Sequence, residues 1–123
     1  MTMIGLRARG GAPDGSSAQE VAAFHYRAAL AGAFGSWRDT FVKPLRMFPP
    51  DDLSNPLGPW WKRARAMAHE VGSYAFAQTL EDSPEATTLE FSRLDQHGMP
   101  QSEAVTIRLV REEQEWRVER AQY

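Results

Sequence analysis

The spacing of apolar positions changes once along the chain. Before Ser73 they recur every three to four residues, and after it every second residue, so helices are predicted first and strands second. The opening periodic stretch begins at Ser17, which stands in the S-x-x-E spacing of a capping box with Glu20. It predicts a helix over 20–34, EVAAFHYRAALAGAF. Ala22, His25, Tyr26, Ala29 and Ala33 form its buried face, and Glu20, Arg27 and Ala31 lie opposite. That face is mostly small, so another element can approach closely. Gly35 permits a break. A shorter helix is expected over 36–42, SWRDTFV, with Asp39 in a second cap-like spacing from Ser36 and Pro44 as its limit. The prolines at 49, 50 and 56 in LRMFPPDDLSNP predict an irregular connection. A third helix is predicted over 59–71, PWWKRARAMAHEV. Trp60, Ala64, Met67 and Val71 form an apolar stripe, Lys62, Arg65 and His69 a solvated face, and Gly72 follows as the stop.

Strands are predicted over 74–81, 87–95, 102–112 and 115–122. Their turns are Asp82-Ser83-Pro84-Glu85, Gln96-His97-Gly98 and the tight pair Glu113-Gln114. A two-residue final loop sets Leu109 opposite Val118, Arg111 opposite Trp116, and Arg108 opposite Glu119. Val105, Ile107, Leu109, Trp116 and Val118 then form an inner face packed on Trp60, Met67 and Tyr26. The fold class is α+β, with three N-terminal helices on an antiparallel sheet of about four strands.

Composition narrows this picture without redirecting it. The chain has 123 residues, 42% hydrophobic and 24% charged, which suits one globular domain. Residues 1–16 are rich in Gly, Ser, Ala and Arg and read as a disordered tail, leaving 17–123 as the domain. There is no cysteine, so disulfides, thiolate metal sites and a cysteine nucleophile are excluded. A net charge of -2 gives no global attraction to nucleic acid. In WWKRAR the aromatic Trp60 and the bases Lys62 and Arg65 fall on opposite sides of the predicted helix, against a nucleic-acid platform. No apolar run reaches the length of a membrane span. His25, His69 and His97 lack metal-ligand spacing, so no metal and no cofactor are expected. Cytoplasmic residence is expected, with a removed export signal as the alternative.

The order of these elements resembles the NTF2-like superfamily, the fold of nuclear transport factor 2, SnoaL-type cyclases and ketosteroid isomerase. FHYRAALAGAFGSWRDTF is similar to that family's opening helix, glycine break and short helix. SRLDQHGMPQSEAVTIRLVREEQEWRVERAQY is similar to its closing strands. The likeness spans about Ser17 to Tyr123 and consists of residue-type patterns. One departure is the proline-rich LRMFPPDDLSNP, where many enzymatic members carry a strand with an acidic residue. The resemblance implies a curved sheet wrapped round the long helix, leaving a cone-shaped cavity. It also implies a homodimer through the outer sheet face, here Ala104, Thr106, Arg108, Val110, Glu119 and Tyr123.

Within such a cone, His25 could act as acid or base and Tyr26 could donate to an oxyanion. The competing reading makes both packing residues with locally satisfied polar tips. Asp39 could serve as a base at the mouth, or simply cap its helix. Arg111 and Arg120 could grip a carboxylate from the inner face, or snorkel to water. Tyr26, Trp60, Met67, Phe91, Arg111 and Trp116 are the candidate ligand-binding residues. A catalytic site needs a base and an electrophile converging on one point, and the sequence offers no such matched pair. The expectation is therefore a non-catalytic binding or interaction module holding a small, mostly apolar ligand. The alternative is a small isomerase, dehydratase or cyclase using His25, Tyr26 and Asp39.

Overall fold

The computed structural model describes residues 11–49 and 51–123 and confirms the α+β class with a curved, open, four-stranded antiparallel sheet. The tail expectation for 1–10 lies outside the described residues. Within 11–16, Ala12 packs against the core and the Gly15 N–H donates to the Glu115 carboxylate at 3.2 Å.

The first helix, α1, spans Ala18–Ala31 behind the expected capping box. Ser17 Oγ accepts from the Glu20 N–H at 3.1 Å, and Glu20 Oε1 accepts from the Ser17 N–H at 2.8 Å. The break falls at Gly32, not Gly35. Gly32 adopts φ 73°, a left-handed cap that turns the chain while its neighbours bond back to the last carbonyls. Arg65, expected in solvent, lies across this turn and donates Nη1 to the carbonyls of Ala29 at 2.7 Å and Leu30 at 3.1 Å. A cation thus meets the partially negative end of the helix. A Cβ at position 32 would stand 3.4 Å from the guanidinium.

Three further helices follow, one more than expected. Helix α2 is Phe34–Arg38, α3 is Lys43–Arg46 and α4 is Leu57–Met67. Pro44 does not merely end a helix. It sits in the first turn of α3, where a missing N–H costs nothing. Asp39 is the C-cap residue just after α2 and caps nothing with its side chain, because the helix starts two residues earlier than Ser36. Asn55 Oδ1 accepts from the Leu57 N–H at 3.0 Å at the start of α4. That helix ends at Met67, short of the expected Val71, which is nonetheless buried.

The strands are β1 Ser73–Asp82, β2 Ala86–Leu94, β3 Pro100–Glu112 and β4 Glu115–Ala121, in the order β1-β2-β3-β4. Irregularities interrupt all three pairings and bend the sheet. The final hairpin turns on Glu113 and Gln114, both at positive φ, and pairs Arg111 with Trp116 and Leu109 with Val118 as the sequence predicts.

The expected register holds only as far as Val118. Leu109 pairs with Val118 but Arg108 pairs with Arg120, so Glu119 is an extra residue in β4. This bulge reverses the facing of everything beyond it. Arg120, expected inside, is exposed, and Tyr123, expected on the outer face, is buried at 3% exposure. Glu119 still reaches Arg108, with Oε1 2.9 Å from Nε.

The two edges of the sheet differ. Val42 N–H donates to Val118 O at 3.0 Å and Val118 N–H donates to Thr40 O at 2.8 Å, so a one-residue parallel bridge at Phe41 interrupts the outer edge of β4 at its middle. This bridge stands just before the proline-rich stretch 45–56. At the other edge, among the described residues, β1 pairs only with β2. No helix among the described residues is long and apolar enough to cross a membrane.

Val105, Ile107, Leu109 and Val118 are buried on the concave face as expected, beneath α1 and α2, whereas Trp116 is only half-buried. It lies near the hairpin tip, where Arg111 stacks on it with 4.8 Å from guanidinium carbon to ring centroid. The larger loss should therefore come from the smaller side chain. Leu109→Ala is expected to cost about 2–5 kcal/mol as a buried large-to-small change, and Trp116→Ala less. Urea unfolding of the two variants measures the order, and a larger shift for Trp116→Ala would contradict this packing.

Candidate functional site

Two regions compete for the role of site: the polar cluster under α1, and a cavity at the end of the sheet where β4 finishes. The cluster holds the residues that the sequence nominated.

His25 is fully buried on α1, and both ring nitrogens are engaged. Its Nδ1 lies 2.7 Å from Thr40 Oγ1 and its Nε2 lies 2.6 Å from Tyr123 Oη. The neighbours decide the direction of each bond. Trp37 Nε1 can only donate, and does so to Tyr123 Oη at 2.9 Å. Thr40 Oγ1 donates its one proton to the carbonyl of Trp37 at 2.7 Å, so it must accept from His25 Nδ1–H. The neutral ring then accepts at Nε2 from the Tyr123 hydroxyl. The chain runs from the Trp37 indole through Tyr123, His25 and Thr40 back to the Trp37 carbonyl, with every donor used.

Burial holds the His25 pKa down at about 3, because the charged ring would be desolvated. Tyr26 sits beside it, its hydroxyl donating to the Gln122 carbonyl at 2.9 Å and its ring stacked on Tyr74 at 4.2 Å. Burial raises its phenol well above the ordinary value, with smaller pushes from Tyr123 and Tyr74 and an opposing pull from Arg93. Phe91 is buried against Tyr26 at 5.0 Å, and Met67 packs at the margin of the same core. Trp37, Phe41 and Tyr123 fill the space between α1 and the sheet.

Asp39 is apart from this cluster. Its carboxylate pairs with Arg38 Nε at 3.2 Å and lines a cleft of about 400 Å³ between α2 and 46–58. Arg111 is exposed near the hairpin tip and donates to the Gln114 carbonyl at 3.2 Å. The structure therefore joins His25 to Tyr26 but leaves Asp39, Arg111 and Trp116 elsewhere. Among the described residues no group of three or more His, Asp or Glu could hold a metal.

The cavity, of about 590 Å³, lies between α4 and the ends of β3 and β4, opposite the hairpin tip. Of the nominated residues only Trp60 lines it. The others that shape it are Arg63, Arg93, Glu103, Val105 and Tyr123. Arg93 follows Leu89 and Phe91 at two-residue steps along β2, so it lies on the concave face, with only 13% of its side chain exposed. Nη2 donates to the main-chain oxygen of Tyr123, Nη1 stands 3.6 Å from Glu103, and Nε is enclosed without a partner. Arg63 is exposed on α4 and makes no ion pair among the described residues. Burial raises the Tyr74 phenol, and the charges of Arg93 and Arg63 oppose that rise. The alternation Leu89-x-Phe91-x-Arg93 is the signal that could have found Arg93. Nothing in the periodicity marks Arg63.

Comparison with protein-family models, curated proteins and solved structures finds no match to this chain.

Two outcomes follow from the buried cluster. The folded His25 binds a proton only near pH 3, whereas the unfolded ring binds one below about 6.5, so stability present above 6.5 is lost as pH falls through that window. The expected slope is about 1.4 kcal/mol per pH unit for this one proton. Urea titrations between pH 7.5 and 4.5 measure it, and His25→Gln should flatten the dependence. An equal slope in that variant would assign the acid sensitivity elsewhere.

The bulge supplies the second. Glu119→Ala should change stability by no more than about 1 kcal/mol, since its ion pairs are half-exposed. Deleting Glu119 should abolish cooperative unfolding, because it turns Tyr123 away from His25 and Trp37. Circular dichroism melts distinguish the two, and a deletion variant that melts like Glu119→Ala would refute the bulge.

Proposed function

We propose that this domain is a non-catalytic, NTF2-like binding module that holds a small, mostly apolar molecule in the cavity beside α4. The observation that carries this reading is a contrast. The space beneath α1 is filled by aromatic rings, while about 590 Å³ stands open between Trp60 on one side and Val105, Ala104 and Ala121 on the other. That volume is in the range of small-molecule sites, and Trp60, Val105, Ala104 and Ala121 offer a ligand's apolar part a surface to rest on, beside the polar Arg63, Arg93, Glu103 and Gln122.

Support for binding over turnover comes from the state of the nominated catalytic groups. An acid–base catalyst needs a lone pair or proton facing the substrate. His25 has neither to spare, Tyr26 spends its proton on Gln122, and Asp39 pairs with Arg38 in a different cleft. Support for the fold family comes from the helices preceding an antiparallel sheet whose concave face packs on α1.

The test uses a neutral apolar dye, N-phenyl-1-naphthylamine, whose emission rises on leaving water. Saturable binding of one dye per chain is expected. Trp60→Ala should weaken it about tenfold, the loss of roughly one aromatic contact, and Trp116→Ala should leave it unchanged. Absence of saturation, or an equal loss in Trp116→Ala, would overturn the reading.

A further inference from the structure

Asp14-Gly15 is the one place in the chain where aspartate or asparagine is followed by glycine. That pairing has its own chemistry. A backbone nitrogen can attack the side-chain carbonyl carbon of the residue before it and close a five-membered imide. Glycine has no Cβ to hinder the approach. Asn55 is closed to this route, because the following Pro56 carries no N–H. Asp14 and Gly15 are both exposed.

Three other aspartates have their carboxylates held. Asp52 Oδ1 accepts from the Ser54 N–H at 2.9 Å, and Asp95 Oδ1 accepts from the N–H groups of His97 at 2.8 Å and Met99 at 3.0 Å. Asp39 pairs with Arg38. Among the described residues, the Asp14 carboxylate takes part in no hydrogen bond or ion pair. Its side chain is therefore at liberty to present Cγ to the next nitrogen.

The backbone, in contrast, is held. Pro13 to Ser16 form a β-turn, in which the Ser16 N–H donates to the Pro13 carbonyl at 3.2 Å and Ser16 Oγ donates to the same oxygen at 2.6 Å. Gly15 has φ 79° and Asp14 is not at positive φ, the pattern of a type II turn. In that turn the peptide plane between Asp14 and Gly15 carries the nitrogen away from the Asp14 side chain. Ring closure requires the plane to swing until the nitrogen eclipses Cβ. The Gly15 N–H is tied to Glu115 Oε1 at 3.2 Å, at the start of β4, and the swing breaks this bond. The carboxylate also opposes loss of the N–H proton, which the attack requires.

We propose that Asp14 is a site of spontaneous isomerisation to isoaspartate, and that Glu115 restrains the reaction in the folded domain. The Gly15 nitrogen, on losing its proton, bonds to Asp14 Cγ of the carboxylic acid form. The bond from Cγ to the hydroxyl oxygen breaks, and the hydroxyl leaves with that proton as water. Water then adds to either imide carbonyl. Cleavage of the bond from nitrogen to Cγ restores aspartate. Cleavage of the bond from nitrogen to the Asp14 main-chain carbonyl carbon leaves the chain running through Cγ. Water is the only co-reactant, the mass is unchanged, and one methylene has moved into the backbone. The longer backbone cannot keep the turn, so the isomer releases the segment 11–16 from its tie to the β3–β4 hairpin.

The experiment holds the folded protein at neutral pH and body temperature for weeks, then maps its peptides by chromatography and mass spectrometry. Isoaspartate at position 14 is expected as a peptide of unchanged mass and altered retention, and as one carrying heavy oxygen when the water is so labelled. Glu115→Ala should form it about fivefold faster than the unaltered chain, the order of one exposed charge-assisted hydrogen bond. Glu115→Gln, whose amide oxygen accepts the same bond without the charge, should lie between the two. Amide hydrogen exchange separates a local cause from a global one. In Glu115→Ala the Gly15 N–H should exchange faster, while the Val118 N–H, which donates to Thr40 O, should not. Failure of the isomer to form in Glu115→Ala overturns the proposal. Slower formation there than in the unaltered chain also overturns it, by making the carboxylate a base for the attack. Equal acceleration of exchange at Gly15 and Val118 overturns the restraint by assigning the effect to global unfolding.

Discussion

An imidazole can be buried without charge only if one nitrogen finds an acceptor and the other a donor. His25 meets this condition through residues far apart in sequence: Thr40 after α2, and Tyr123 at the close of β4. The indole of Trp37 and its own carbonyl close the circuit. Because each hydroxyl in the chain both donates and accepts, a proton added to His25 would set two donors against each other at Tyr123. The arrangement therefore tolerates one protonation state, one tautomer and one docking of the last strand against the first helix. The packing of Phe41, Tyr26 and Phe91 is built around that docking.

The bulge at Glu119 makes the docking possible, and it explains most of what the sequence did not disclose. Alternation alone puts Arg108 across from Glu119, Arg120 inside and Tyr123 outside. One inserted residue reverses the last two and shifts the first, while leaving Leu109–Val118 and Arg111–Trp116 as the tight turn dictates. A bulge has no period, so no count of alternating positions reveals it. The strands themselves, and the capping box of α1, were legible because each follows from local spacing. The helix breaks were less so. Both Gly32 and Gly35 allow a turn, and the choice is made by Arg65, which reaches Ala29 and Leu30 from another helix. Asp39 likewise has cap spacing from Ser36, but α2 begins at Phe34 and spends that spacing inside the helix.

The same distinction applies to the site. The sequence nominated polar residues on the apolar face of α1, and their polar atoms are spent on bonds inside the protein. The groups that line the cavity come from α4, β2, the first half of β3 and the end of β4, brought together by tertiary folding. Arg93 was readable in principle, since it extends the inward row of Leu89 and Phe91. Its surroundings were not, because the main-chain oxygen that orients it belongs to Tyr123. Core and cavity are thereby linked at one residue, whose hydroxyl faces the imidazole and whose main-chain oxygen faces the guanidinium.

The unequal edges of the sheet limit how copies of this chain can join. A sheet with two free edges can accept a neighbour on each side, and such addition has no natural end. Here the segment around Phe41 bonds the N–H and C=O of Val118 on the β4 edge, whereas among the described residues no segment pairs with the outer edge of β1. Strand-to-strand joining through β1 would consume the open edge of both participants. Association by that route stops at two and cannot grow into a filament.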